Sequence, residues 1–230
     1  MIRKDPVGFV DPDLVPWSPE GGIEGLYSKT LARCADTGSY TRLLKFLPGT
    51  ETSSAGPQSH EHLEELWIVS GAIHDLTLDE NFVAGMYANR LYHMEHGPWK
   101  APNGAITYEL RDFDPDNRIT KEQLEFMDPD LVPWEAAEGA DEVFVKTLTN
   151  CETTGSYGRL VKFHPGGSGS EGSSQGEARS EVWIVSGELE KRPDGLVQPS
   201  GTYGNLDLDL LDGSWTSTRG CVVFEVRNVI

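Results

Sequence analysis

No stretch of this 230-residue chain approaches 18 consecutive apolar residues, and its opening, MIRKDPVGFVDPD, lacks the apolar segment of a signal peptide. Neither a spanning helix nor a secretory leader is expected, which points to a cytoplasmic protein. Basic charge is also scarce: 19 Lys and Arg against 37 Asp and Glu give a net charge of -18. The imbalance is shared, with 11 basic and 20 acidic residues before Asp128 and 8 and 17 from there on. With no basic patch set apart, nucleic acid and anionic membranes are excluded as partners. The acidity suits solubility and weak self-association; a homo-oligomer remains open. Cysteine is rare too. Cys34, Cys151 and Cys221 have neither an even count nor zinc-site spacing, so buried free thiols are expected.

What the chain does have is a copy of itself. DPDLVPW occurs at Asp11–Trp17 and again at Asp128–Trp134, an offset of 117 residues. At the same offset KTLARCADTGSYTRLLKFLPG, from Lys29, faces KTLTNCETTGSYGRLVKFHPG, from Lys146. One deletion later the offset is 116, matching Glu65 to Glu181, Trp67 to Trp183, Gly85 to Gly201, Trp99 to Trp215 and Arg111 to Arg227. The repeat is a whole domain rather than a solenoid unit, and the expected domains are 1–127 and 128–230. Each copy reads as short β-branched and aromatic runs punctuated by Gly, Pro, Asn and Asp, such as YTRLLKFL and ELWIVSGAI, which predicts an all-β sandwich or barrel. TKEQLEFM, from Thr120, alone reads as helical, a linker between the copies. The Gly- and Ser-rich loops GTETSSAGPQS and GGSGSEGSSQGEA are expected to be mobile, near the barrel mouth.

The copies differ most around the histidines. In a strand, residues i and i+2 share a face, so His60 and His62 would converge on one ion with Glu64 beside them. His96, in YHMEHGPW, follows the next hairpin and would return beside that strand. Three imidazoles and a carboxylate suit one divalent transition metal per chain, Fe, Zn, Mn, Ni or Cu, with positions left open for substrate. In the second copy His60, His62, Glu64 and His96 are matched by Gly176, Ala178, Ser180 and Asp212. Glu65 persists as Glu181, which marks Glu65 as structural and favours Glu64 as the ligand. His93, three residues before His96, is the competing histidine.

The two-His segment, the Glu before Gly71, Gly85 followed by a lone His, and the runs EELWIVSG, AGMY, HGPW, EVWIVSG and GCVVFEVRN resemble the cupin superfamily. Within it they are most similar to the cupins related to the metal-binding domain of the ChrR anti-sigma factor. The resemblance implies two tandem jelly-roll (double-stranded β-helix) barrels, the first holding the metal and the second degenerate. It also implies kinship with dioxygenases that cleave diketones and hydroxyaryl ketones. In that pattern three or four residues separate the second His from the Glu, whereas only Leu63 separates His62 from Glu64.

Arg42, Lys45, Glu109 and Arg111 recur as Arg159, Lys162, Glu225 and Arg227, which suits ion pairing more than catalysis. Arg90 and Tyr92 occur only in the first copy and are the substrate-binding candidates, followed by Tyr87 and Trp67, which have counterparts in Tyr203 and Trp183. Two function classes follow. One is a metal-dependent enzyme on a small oxygenated molecule, with an Fe(II) dioxygenase first and an isomerase or hydrolase behind it. The other is a non-catalytic zinc sensor. The anti-sigma factor carries a separate helical partner-binding domain, and a repeat beginning by Asp11 leaves no room for one, which places the sensor second.

Overall fold

The computed structural model describes residues 4–169, 180–206 and 210–229. Its strands are, in order, β1 (Gly8–Val10), β2 (Ser18–Pro19), β3 (Leu26–Arg33), β4 (Tyr40–Phe46), β5 (Thr50–Glu51), β6 (Leu63–Asp75), β7 (Glu80–Val83), β8 (Tyr87–Arg90), β9 (Trp99–Ala101), β10 (Ala105–Asp112) and β11 (Leu124–Met127). They continue as β12 (Glu135–Ala136), β13 (Asp141–Cys151), β14 (Ser156–Ser168), β15 (Ser180–Lys191), β16 (Leu196–Pro199), β17 (Tyr203–Leu206), β18 (Trp215–Thr216) and β19 (Cys221–Arg227). The only helices among the described residues are three short 3-10 turns, so the all-β expectation holds. No described helix is long and apolar enough to cross a membrane.

Backbone contacts divide the chain into two compact units. One comprises Val15–Pro129 with Lys4 and Asp5, the other Pro6–Leu14 and Asp130–Val229. In the second unit β14 pairs with β19 and β18, and both of these pair with β15, so four strands close a ring. The first unit repeats this order, with β10 between β4 and β6 and with β9 joining β5 to β6, but its ring stays open between β4 and β5. One closed barrel therefore stands where two were expected. The reason is local. β14 runs unbroken from Ser156 to Ser168, whereas the matching stretch turns aside at Leu47, whose N–H bonds the Gly25 carbonyl, and Thr50 then donates back to Leu47.

Each unit has its own apolar interior. Leu44, Phe46, Leu66, Ile68, Ile73, Ala88 and Trp99 pack in the first, and Val161, Phe163, Val182, Ile184, Leu189 and Trp215 in the second. Alternation along β6 sends Glu64, Leu66 and Ile68 inward and Glu65 and Trp67 to the opposite face. Gly71 turns the strand at φ 73°, where a Cβ would lie 2.1 Å from the Gly104 carbonyl oxygen, and Gly187 does the same against Gly220.

The segment from Thr120 is not a helix. Leu124–Met127 forms β11, antiparallel to β8, because Phe126 gains a stacked contact with Phe82 (3.9 Å) and an edge contact with Trp99 (5.9 Å). Tertiary packing outweighs the modest helix propensity of Lys, Glu and Gln. At the repeat offset β11 corresponds to β1. β1 pairs with β17 of the second unit and sets Phe9 against Trp215 at 5.5 Å. Each copy's leading strand thus belongs to the sheet of the other copy.

The three cysteines are free and buried, as expected. Burial, with Glu188 nearby, pushes the Cys221 thiol up to about 12. The first Gly- and Ser-rich loop is tied down: Thr52 exchanges hydrogen bonds with Trp99, and Gln58 forms a bridge with His96. Most of its second-copy partner, with Gly176 and Ala178, lies outside the described residues.

Candidate metal centre

Glu64 is the second residue of β6, points into the first unit's interior and is buried. His60 comes from the irregular stretch before that strand, its carbonyl accepting the His93 N–H. His96 arrives after β8, its backbone locked to Gln58 by reciprocal N–H···O bonds of 3.0 and 2.9 Å. The donor atoms of His60, Glu64 and His96 lie within 4.8 Å of one another. The His60 Nε2 is 3.4 Å and the His96 Nε2 3.7 Å from the same carboxylate atom, Glu64 Oε2. This is a potential metal-binding cluster.

The tautomers follow from the hydrogen bonds. His60 Nδ1 lies 3.0 Å from the His62 carbonyl and His96 Nδ1 3.0 Å from the Met94 carbonyl. A carbonyl only accepts, so both imidazoles carry their proton on Nδ1 and turn the Nε2 lone pair toward Glu64. Histidines that ligate metals are held this way, by their other ring nitrogen. Burial, followed by Arg90, holds His96 down at about 4, so its ring is neutral near pH 7. Among the described residues the His60 Nε2 is buried without a hydrogen-bond partner, which leaves a lone pair for an ion. Donors at ~2.1 Å from a tetrahedral ion stand roughly 3.4 Å apart, so the residues fit such a group.

Glu64 has other partners. Arg111 donates to Oε1 from Nε and Nη2 at 2.8 and 2.7 Å, and Arg90 donates to Oε2 at 2.8 Å. Burial by itself would raise this carboxyl, but Arg111 and Arg90 hold it well below the usual carboxylate range. The Arg90 guanidinium packs against both Trp99 (5.0 Å) and Phe126 (5.2 Å) and reaches Glu125 at 3.4 Å. The site opens into a cavity of about 270 Å³, polar at Tyr40, Arg42, Arg111 and Glu109 and apolar at Leu26, Leu44, Phe46 and Leu66.

His62 is not part of this group. β6 begins at Leu63, so the two-residue alternation does not reach back to His60 and His62, and the His62 ring turns toward Phe113 at 5.8 Å. Three residues separate His60 from Glu64, the spacing that His62 could not provide. Gln58, two positions before His60, lines the cavity instead. Of the substrate candidates, Arg90 lines the cavity but is engaged by Glu64 and Glu125. Tyr92 donates to Asp114, and burial followed by Asp114 raises its pKa. Tyr87 donates to Glu65, which also holds Lys121, and neither Tyr87 nor Trp67 lines the cavity. Glu65 is therefore bound up in structure, like its counterpart Glu181, which accepts from Tyr203.

Sequence reasoning missed Glu20, Gln58 and Glu125. A signal existed for two of them: like the ligands, they are confined to one copy, Ala137 and Gly8 standing at the positions matched to Glu20 and Glu125.

Residues 7–110 match the family model of the ChrR cupin-like domain. No curated protein matches the chain. Among solved structures, one from Nostoc punctiforme provisionally described as a dioxygenase is 15% identical, with a TM-score of 0.75 over 99% of this chain and 83% of that one. A cupin 2 conserved barrel domain protein from Leptotrichia buccalis is 13% identical, with a TM-score of 0.62 and 99% of both chains covered. Oxalate decarboxylase from Lactobacillus farciminis, in a formate complex, is 11% identical, with a TM-score of 0.62 over 97% of this chain and 86% of that one. At such identities the likeness speaks for the fold, and together with the matched family model it shows that this chain carries a cupin-like domain.

Proposed function

We propose that the first unit binds one divalent transition metal through His60, Glu64 and His96 and is a metal-dependent enzyme on a small oxygenated molecule, with an Fe(II) dioxygenase as the leading reading. The observation that carries it is the pair of imidazoles whose Nδ1–H groups are tied to carbonyls while both Nε2 atoms face one carboxylate oxygen. Two histidines and one carboxylate with open positions form the donor set of non-haem Fe(II) oxygenases. Such an ion, when bound, would supply Lewis acidity and a place for dioxygen beside the substrate.

The chain's own residues do the rest. The apolar wall of Leu26, Leu44, Phe46 and Leu66 accepts a carbon skeleton and excludes water, while Tyr40 and the ion-paired Arg42 and Arg111 line the end that faces its oxygens. Glu109 is paired with Arg42 at 2.9 Å, which fixes that guanidinium in place. The duplication supports a two-cupin chain related to the ChrR cupins, with the site in copy 1–127 and a degenerate copy in 128–230.

Metal analysis of untagged protein, followed by oxygen uptake with Fe(II) and a panel of diketones and phenolic ketones, tests the reading. Oxygen consumed in proportion to substrate supports the dioxygenase. Carbon dioxide released from a small carboxylate without oxygen uptake would favour a decarboxylase, the chemistry named for one of the similar structures. Stoichiometric zinc with no turnover would favour the sensor.

A further inference from the structure

Glu64 Oε2 is claimed twice. It faces both Nε2 atoms, and it also accepts the 2.8 Å hydrogen bond from Arg90. A cation arriving at that oxygen competes with the guanidinium for it and is repelled by its charge. Oε1, in contrast, belongs to Arg111 alone.

Arg90 has somewhere else to go. Its Nη2 already lies 3.4 Å from Glu125 Oε1, and among the described residues its Nε is buried without a hydrogen-bond partner. The guanidinium stays buried against Trp99 and Phe126, whose rings meet edge-on at 5.9 Å. The repeat separates the two arginines. Arg111 recurs as Arg227, but Glu64, Arg90 and Glu125 are matched by Ser180, Leu206 and Gly8, so all three occur only in the unit that has the histidines. Glu125 stands on β11, the strand that the second copy contributes.

From this geometry we infer that Glu125 is a positioning residue for the metal centre, taking over Arg90 when Glu64 Oε2 turns to the ion. Glu125 then balances a guanidinium that would otherwise be buried without a counter-charge. This rests on the metal-binding reading given above.

A double-mutant cycle read by Co(II) binding tests it, using the full chain, calorimetric titration and the visible absorption of the bound cobalt. Glu125→Gln should weaken cobalt binding about tenfold, a coupling usual for residues sharing one ion-pair network. Arg90→Met should tighten binding, because it removes the competitor and leaves an apolar chain against Trp99 and Phe126. In the Arg90→Met background the Glu125→Gln effect should vanish, and Glu125→Asp alone should restore part of the loss. If Arg90→Met does not fold, Arg90→Gln serves in its place. Equal Glu125→Gln losses in both backgrounds, or weaker binding on removal of Arg90, would overturn the inference while leaving the metal centre intact. Failure of the unmodified protein to bind cobalt would instead overturn the metal centre, and the inference with it.

Discussion

Where the first unit has Glu20, Glu64, Arg90 and Thr107, the second has Ala137, Ser180, Leu206 and Val223 at the matched positions. Where the first has Leu66, Ile68, Ile73 and Trp99, the second has Val182, Ile184, Leu189 and Trp215, all buried. The apolar halves of the two interiors are interchangeable in kind; the polar rims are not. A buried charge stripped of its partner costs several kcal/mol, which favours the loss of such charges together. Glu64, Arg90 and Glu125 do differ together. Arg42 and Glu109, absent from that set, survive intact as Arg159 and Glu225, which pair at 2.6 Å.

The contrast should be greatest in metal binding. His60→Ala and His96→Ala are each expected to lower metal affinity at least ~100-fold, in line with loss of a ligand, while Asp212→Ala in the second unit leaves stoichiometry and affinity unchanged; elemental analysis and titration check both. Next comes stability. Glu64→Ala leaves Arg90 and Arg111 buried beside a cavity and should cost about 3–5 kcal/mol in urea unfolding. Ser180→Ala removes a hydroxyl that has no partner among the described residues and should cost less than about 1 kcal/mol.

A smaller difference should follow pH. The His96 pKa falls to about 4 in the folded metal-free protein, so between ~6.5 and that value the unfolded chain takes up a proton that the folded chain refuses. Stability should therefore decline as pH falls through this window, by about 3 kcal/mol in all. His96→Asn should flatten that part of the profile, and Asp212→Asn should not. The smallest difference is expected at the shared framework. Tyr87→Phe and Tyr203→Phe each delete one buried hydroxyl–carboxylate bond, of 2.7 and 2.6 Å, and should cost about 1.5–3 kcal/mol apiece. A discrepancy above ~1 kcal/mol between them would show that the frameworks are not equivalent.

The sheet content and the duplication were legible because strand patterning is local and the repeat is written in the letters. Glu65 could be read as structural from its persistence as Glu181, and its contacts with Tyr87 and Lys121 show the role. His62 misled because the two-residue alternation holds only inside a strand, and β6 begins one residue too late for it. Glu125 and Phe126 were hidden in a segment whose local preference is helical; their partners, Arg90 and Trp99, are distant in sequence. Arg90 was read as a substrate contact because a sequence shows that a charge is present, not which carboxylate holds it.

The exchange of leading strands also has a consequence for synthesis. Phe9 of β1 pairs in register with Gly204, a separation of 195 residues, whereas β11 finds β8 within 40. At ~5–20 residues per second the ribosome needs roughly 10–40 s to deliver that partner. During this interval the first unit, from Val15 to Pro129, can complete itself while β1 waits outside any sheet with Phe9 uncovered. A chaperone bound to the nascent chain would find this segment uncovered, and a chain cut before Asp128 would yield a second half that permanently lacks it.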